Sequence, residues 1–186
     1  LGKIIQNYPN DFLFTKSDPF HTLARSIVGQ QISVKAAQSV WNKLELKLKL
    51  VSADKIKNTH YMTIKSCGLS KQKISYLKNL SDAFNSKRIK PEEWKNTSDV
   101  EIIAQLIEIK GIGRWTAEMF LIFNLCRPDI FPVDDLGLIK GMCELYNLKY
   151  PITKEHAIKL SSKWKPWRSV ATWYLWRSLD PIPVQY

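Results

Sequence analysis

The chain is poor in the residues that build metal centres and disulfide frameworks. Its three cysteines, Cys67, Cys126 and Cys143, are far apart and odd in number. No C-x-x-C pair exists, so neither a zinc site nor an iron–sulfur cluster is signalled. The three histidines, His21, His60 and His156, are scattered as well and suit surface or cap positions. A side-chain metal site is therefore not expected to carry chemistry, no cofactor is implied, and the unpaired thiols suit a reducing compartment. Long apolar runs are missing too, since none approaches the ~18 residues a membrane span needs. No signal peptide is visible, and the chain begins at Leu1 rather than Met. A soluble, intracellular protein is the expectation. Acidic residues are in deficit, 17 against 28 Lys+Arg, which gives a formal charge of +11 and a sequence pI near 9.6. Such a balance favours a polyanionic partner, nucleic acid first and anionic membrane as the competitor.

What is present is helical periodicity. At 186 residues the chain can form one domain or two small lobes with a real core. Phe20, Leu23, Ala24, Ile27 and Val28 follow the spacing of one buried helix face, opened by an Asp18-Pro19 cap. Ser33 and Ser70 are placed to cap further helices, the second bearing Ile74, Leu77, Leu80 and Phe84. Gly68 stops the helix before it. Ser98-Asp99-Val100-Glu101 has the form of a capping box leading into Val100, Ile103, Leu106 and Ile107. A loop with Pro128 and Pro132 precedes a helix whose stripe is Leu136, Ile139, Met142, Cys143 and Tyr146. Thr153 caps the next helix, and Pro166 opens the last. No strand pattern, repeat or low-complexity tract competes, so the predicted class is all-α.

Three features carry chemistry. First, Leu106-Ile107-Glu108-Ile109-Lys110-Gly111-Ile112-Gly113-Arg114-Trp115-Thr116-Ala117 joins two helices through a Gly-X-Gly turn. Two glycines permit positive backbone angles and close approach of another backbone. The second helix would then present amide groups and the positive end of its dipole to a phosphate. A ligand-free helix corner is the alternative. Second, Asp134-Asp135 follows the proline loop at a helix start, where one acid is needed as a cap and the other is left for another task. Third, four of the seven tryptophans, Trp164, Trp167, Trp173 and Trp176, crowd the C-terminal segment. Trp173 and Trp176 share a helix face. Core packing is the favoured reading for Trp167 and Trp173, and an aromatic face for an extruded base is the other use.

The stretches "SIVGQQIS", "CGLSKQKISYLKNL", "LIEIKGIGRWTAEMF", "RPDIFPVDDLGL" and "WKPWRSVATWYLW" occur in this order. Together they resemble the helix-hairpin-helix DNA glycosylases, in particular the 3-methyladenine DNA glycosylase II branch, from Asp18 to Leu179. The resemblance implies a two-lobed helical body, lobe 33–123 against 1–32 plus 124–186, with the active site in the cleft. It implies Asp135 as the catalytic carboxylate, with Asp134 capping or orienting the helix start. Trp115 and Trp176 match base-pocket aromatics. Gly111, Gly113, Arg114 and Thr116 match the DNA-gripping hairpin, whose carbonyls near Lys110 and Ile112 hold an alkali ion in relatives. Lys110 stands where many such hairpins have proline. Gln30 and Gln31 match the element that fills the gap left by a flipped base, with Gln31 preferred. The alternative is that both glutamines merely bond backbone at a helix junction.

The resemblance further implies a monomer acting on double-stranded DNA with damaged bases. It would work in the nucleoid-associated cytoplasm of a bacterium or in the nucleus of a eukaryote. Relatives with lyase activity carry a Schiff-base lysine where this chain has Trp115, so a monofunctional hydrolase of alkylated purines is expected. The 186 residues include no counterpart of the N-terminal β-domain of some relatives, so no contribution from it is expected. Two other readings stay open, a glycosylase for another lesion such as a deaminated base and a non-catalytic DNA-binding module. The module would leave the paired acids and the tail tryptophans unexplained.

Overall fold

The computed structural model describes residues 1–8 and 18–180. Among the described residues the regular structure is entirely helical, as the periodicity predicts. The α-helices are α1 (Gly2–Gln6), α2 (Pro19–Gly29), α3 (Val34–Leu48), α4 (Ala53–Asn58), α5 (Tyr61–Lys65) and α6 (Lys71–Asn85). After them come α7 (Asp99–Ile107), α8 (Arg114–Phe123), α9 (Leu136–Tyr146), α10 (Lys154–Ser161) and α11 (Arg168–Leu179). Short 3₁₀ helices at Pro91–Asn96 and Ser162–Trp164 have no counterpart in the sequence pattern. No helix among these is long and apolar enough to cross a membrane.

Helix starts follow local chemistry closely. Asp18 accepts the His21 N–H at 3.0 Å with Pro19 at the first helical position. Ser33, Ser70 and Thr153 each accept an amide N–H three residues on. Ser98 and Glu101 form both halves of a capping box. Each such cap satisfies an amide that the helix itself cannot, a contribution of about 1 kcal/mol. The apolar stripes are less faithful. Val100 is 78% exposed and Leu136 is 73% exposed. Both lie in the first turn after a cap, where the neighbours Ile102 and Leu138 take the inward positions instead.

The described residues fall into two compact units, those of Lys16–Ala117 and those of Leu1–Thr15 with Glu118–Gln185. The resemblance implies one lobe over 33–123 and the other over 1–32 plus 124–186. In the structure α2 packs on α3 and α6 and so lies in the first unit. There α6 is the hub, with α2, α4 and α5 against it. Leu23, Ile27, Ile56, Ile64, Ile74, Leu77 and Leu80 are fully buried. Lys78 of α6 caps the end of α4, donating from Nζ to the carbonyls of Ile56, Lys57 and Thr59 at 2.7–2.8 Å.

The other unit is built on α9 and α11. Leu138, Met142, Cys143, Trp164, Ala171 and Leu175 form its core. A Cβ on Gly141 would meet the Leu175 Cβ at 3.2 Å and its carbonyl oxygen at 3.3 Å, so glycine lets the two backbones close. The proline loop is fastened to the start of α11. Ser169 is 1% exposed; its hydroxyl donates to the Arg127 carbonyl at 2.6 Å and accepts from Ile130 N–H at 2.9 Å. Arg168 grips Asp129 through Nε at 2.7 Å and Nη2 at 2.8 Å. The first amides of α11 donate to the same loop, Arg168 N–H to Asp129 at 3.3 Å and Ser169 N–H to the Pro128 carbonyl at 2.9 Å. This external cap is why α11 begins at Arg168 rather than at Pro166.

Hydrogen bonding from Arg168 holds the Asp129 carboxyl below the usual carboxylate range, against the opposing effect of burial. A depressed carboxylate stabilises the fold above its unfolded pKa of about 4, and that stabilisation is lost as pH falls through the folded value. Resistance of wild type to urea should therefore fall on acidification below about pH 4. Asp129→Asn should unfold about 1–2 kcal/mol more easily at pH 7 and show a flatter acid limb. An unchanged acid limb in the variant would remove Asp129 from this account.

Candidate functional site

Asp135 closes the proline loop and is itself the N-cap of α9. Its Oδ1 accepts the Leu138 N–H at 2.6 Å. A cap oxygen must reach an amide two or three residues on, so a helix beginning at Leu136 selects Asp135. Asp134 is therefore not the cap that the resemblance implies, and it pairs with Lys154. The same Oδ1 of Asp135 accepts the indole N–H of Trp176 at 2.8 Å. Two donors from different helices thus fix the direction of a half-buried carboxylate.

Trp176 is set by its own neighbours. Its ring stacks on Phe123 with centroids 5.7 Å apart and planes at 16°. A Cβ on Gly137 would lie 3.2 Å from Asp135 Oδ1 and 3.5 Å from Trp176 Cδ1, so glycine makes room for the indole beside the carboxylate. Gly137 and Gly141 are one turn apart on the face of α9 that meets α11. That spacing was visible in the sequence and is the signal that could have marked Gly137. Of the other tail tryptophans, Trp173 is buried as expected, whereas Trp167 is 60% exposed and is not a core residue. It sits at the N-cap of α11, before the helix turns inward.

The hairpin between α7 and α8 lies in the other unit. Gly111 has φ +107°, and a Cβ there would meet the Tyr76 ring at 2.3 Å. Both facts demand glycine. Gly113 differs, because its φ is not positive and a Cβ would have nothing within 4 Å. Only Gly111 thus adopts the left-handed angle that the Gly-X-Gly pattern suggests for both. Buried Ile109 and Ile112 pin the turn from inside. Gly113 accepts the Ala117 N–H at 3.0 Å, so it stands at the N-cap of α8 without a side-chain oxygen to cover that helix end.

Arg114 and Trp115 follow on the exposed side, Trp115 at 38%. Thr116, which the motif match places on the DNA-gripping hairpin, is 5% exposed. Helical rotation of about 100° per residue carries it to the inward side. The carbonyls of Ile109 and Gly111 are engaged by Ile112 N–H and by Gln30 Nε2, both at 2.9 Å. Gln31, next to Gln30, is exposed and has φ 59°. A left-handed angle costs a non-glycine residue about 1 kcal/mol or more, which concentrates strain on this residue.

Residues 24–166 match the model of the HhH-GPD superfamily of base excision DNA repair proteins. The chain belongs to that superfamily. It is 36% identical over 182 residues to DNA-3-methyladenine glycosylase 1 of Schizosaccharomyces pombe, covering 96% of this chain and 80% of that one. Among solved structures it is similar to the S. pombe 3-methyladenine DNA glycosylase in complex with abasic DNA, with TM-score 0.81 and 33% identity over 98% of this chain and 93% of that one. It is also similar to a DNA-3-methyladenine glycosidase from Bacillus halodurans, with TM-score 0.87 and 33% identity over 96% and 83% of the two chains.

In this HhH-GPD protein the structure brings together Asp135 with Trp176, and Gln30 with the hairpin at Gly111. The glycines separate by what demands them. Gly111→Ala should cost about 3 kcal/mol or more in unfolding experiments, through ring overlap and backbone strain. Gly113→Ala should leave the unfolding midpoint within about 0.5 kcal/mol of wild type while weakening DNA binding several-fold in titrations. Equal losses of stability at both positions would contradict this division. Gly137→Ala should keep the melting temperature within a few degrees but lower turnover at least tenfold, because Asp135 and Trp176 must shift by tenths of an ångström. Wild-type turnover in that variant would show that the contact tolerates the displacement.

Proposed function

We propose that the chain is a DNA-3-methyladenine glycosylase of base excision repair. It extrudes an alkylated purine of the 3-methyladenine or 7-methylguanine type from double-stranded DNA and hydrolyses the N-glycosidic bond. The observation that carries this reading is the Asp135 carboxylate fixed by the Leu138 amide and the Trp176 indole. It stands in a chain 36% identical to DNA-3-methyladenine glycosylase 1 of S. pombe.

A purine methylated at N3 or N7 is already cationic. When the C1′–N bond breaks, its electron pair passes to the base, which departs neutral and needs little help from a general acid. The demand falls on the sugar, where positive charge develops. Asp135 stabilises that charge, water adds at C1′, and the proton leaves to the carboxylate or to solvent. A preorganised group of this kind is commonly worth ~3 kcal/mol, about a hundredfold in rate.

The remaining roles follow residue by residue. Trp115 and Trp176 offer aromatic faces to a cationic base, by stacking and cation–π attraction. Gly111, Gly113 and Arg114 grip phosphate at the start of α8. Gln31 fills the gap left in the duplex. Trp115 supplies no amine where lyases carry lysine, which supports hydrolysis by water alone. The formal charge of +11 supports binding that weakens steeply with salt, by counterion release.

Asn retains the cap geometry of Asp, so Asp135→Asn should fold normally. It should release methylated bases from dimethyl sulfate-treated DNA at least about a hundredfold more slowly than wild type. Wild type should leave abasic sites uncut until alkali is added. Full release by the folded variant would sink the role of Asp135, and strand scission by wild type would sink the hydrolase-only reading.

A further inference from the structure

The proposed function gives the hairpin to phosphate and Gln31 to the gap in the duplex, and the inference here rests on that reading. In the unit of Lys16–Ala117 both elements stand on one helix. Lys73 of α6 donates from Nζ to the Val28 carbonyl at 2.7 Å, which fixes the end of α2 just before the two glutamines. Three residues along α6, the ring of Tyr76 lies under Gly111, close enough that no Cβ would fit between them. Tyr76 is held in turn by Gln72, whose Nε2 donates to its hydroxyl at 2.5 Å.

The third side of this arrangement is a direct bond. Gln30 Nε2 donates to the Gly111 carbonyl at 2.9 Å, across 81 positions of sequence. It ties left-handed Gly111, with φ +107°, to the residue just before left-handed Gln31, with φ 59°. A left-handed angle at a non-glycine residue persists only where the surroundings hold it. Gln30 is half-buried and turned to the hairpin, whereas Gln31 is exposed.

We propose that Gln30 is a positioning residue: its bond to the Gly111 carbonyl locks the Gln31 loop to the hairpin, so that phosphate capture and gap filling occur as one rigid step. Gln30 then acts through Gln31 and not by touching DNA. Losing the bond frees the loop to relax out of the strained angle while leaving the hairpin seated on Tyr76. The expected consequence is selective, with duplex affinity kept and insertion lost.

The test is a double-mutant cycle of Gln30→Ala and Gln31→Ala, with Gln30→Met as a second variant that keeps the side-chain length and removes the donor. One readout is kcat/KM for base release from methylated DNA. The other is fluorescence of 2-aminopurine opposite a tetrahydrofuran abasic analogue in a short duplex, which reports insertion without any chemistry. Both Gln30 variants should lower kcat/KM about fivefold, the scale of one hydrogen bond, and reduce the fluorescence change. Both should bind undamaged duplex within about twofold of wild type. Gln31→Ala should lose more, and Gln30→Ala/Gln31→Ala should be no worse than Gln31→Ala alone. Multiplying losses in the double variant, or wild-type behaviour of both Gln30 variants, would overturn the proposal and leave the gap-filling role of Gln31 standing. An inert Gln31→Ala would instead overturn that role, and the proposal with it. Failure of wild type to release methylated bases would count against the lesion assignment alone, because the abasic duplex still reads the coupling.

Discussion

One oxygen atom ties together the helical unit built on α9 and α11. Asp135 Oδ1 accepts the first-turn amide of α9 and the indole N–H of α11, so a single acceptor joins the proline loop to both helices. Other features of the unit serve that junction. Gly141 lets the α9 and α11 backbones close, and Gly137 leaves room for the indole beside the carboxylate. The far end of the loop is fastened to the start of α11 by Arg168 and Ser169. Asp135 is thus held at the end of a strap bolted near both ends of one helix. Catalytic geometry tolerates little displacement, and the strap supplies the rigidity from outside the carboxylate itself.

The hairpin shows the complementary situation, in which part of the sequence is demanded by the fold and part is not. Tyr76 and the left-handed angle require glycine at position 111. Among the described residues nothing lies within 4 Å of a Cβ built at position 113. Under the proposed function Gly113 serves the approach of a phosphate to the start of α8. That distinction between the two glycines is invisible in the Gly-X-Gly pattern, which treats them alike.

Legibility in the sequence follows the range of the interactions. Caps at Asp18, Ser33, Ser70, Ser98 and Thr153 depend on residues three apart, and the helices they open follow the pattern. The choice between Asp134 and Asp135 as cap turned on one residue of register, which periodicity does not resolve. The start of α11 was misplaced because its cap comes from Pro128 and Asp129, some forty residues away. The bond from Gln30 to Gly111 spans 81 positions and leaves no mark on local composition. Asp135 itself was reached through the family motif, while its partner on the same oxygen, Trp176, was marked only as an aromatic face.

Three aspartates within seven residues of a basic chain also show how one carboxylate is set apart. Asp129 meets the Arg168 guanidinium and Asp134 meets the Lys154 ammonium. Asp135 Oδ1 accepts from an amide and an indole, which come from two different helices. Ion pairs hold the two neighbouring acids, and directional hydrogen bonds aim the oxygen of Asp135. Under the proposed function Asp135 faces a developing positive charge, and a fixed direction serves that role. Arg168 and Lys154, paired with the neighbouring acids, thus help hold the loop up to its last residue.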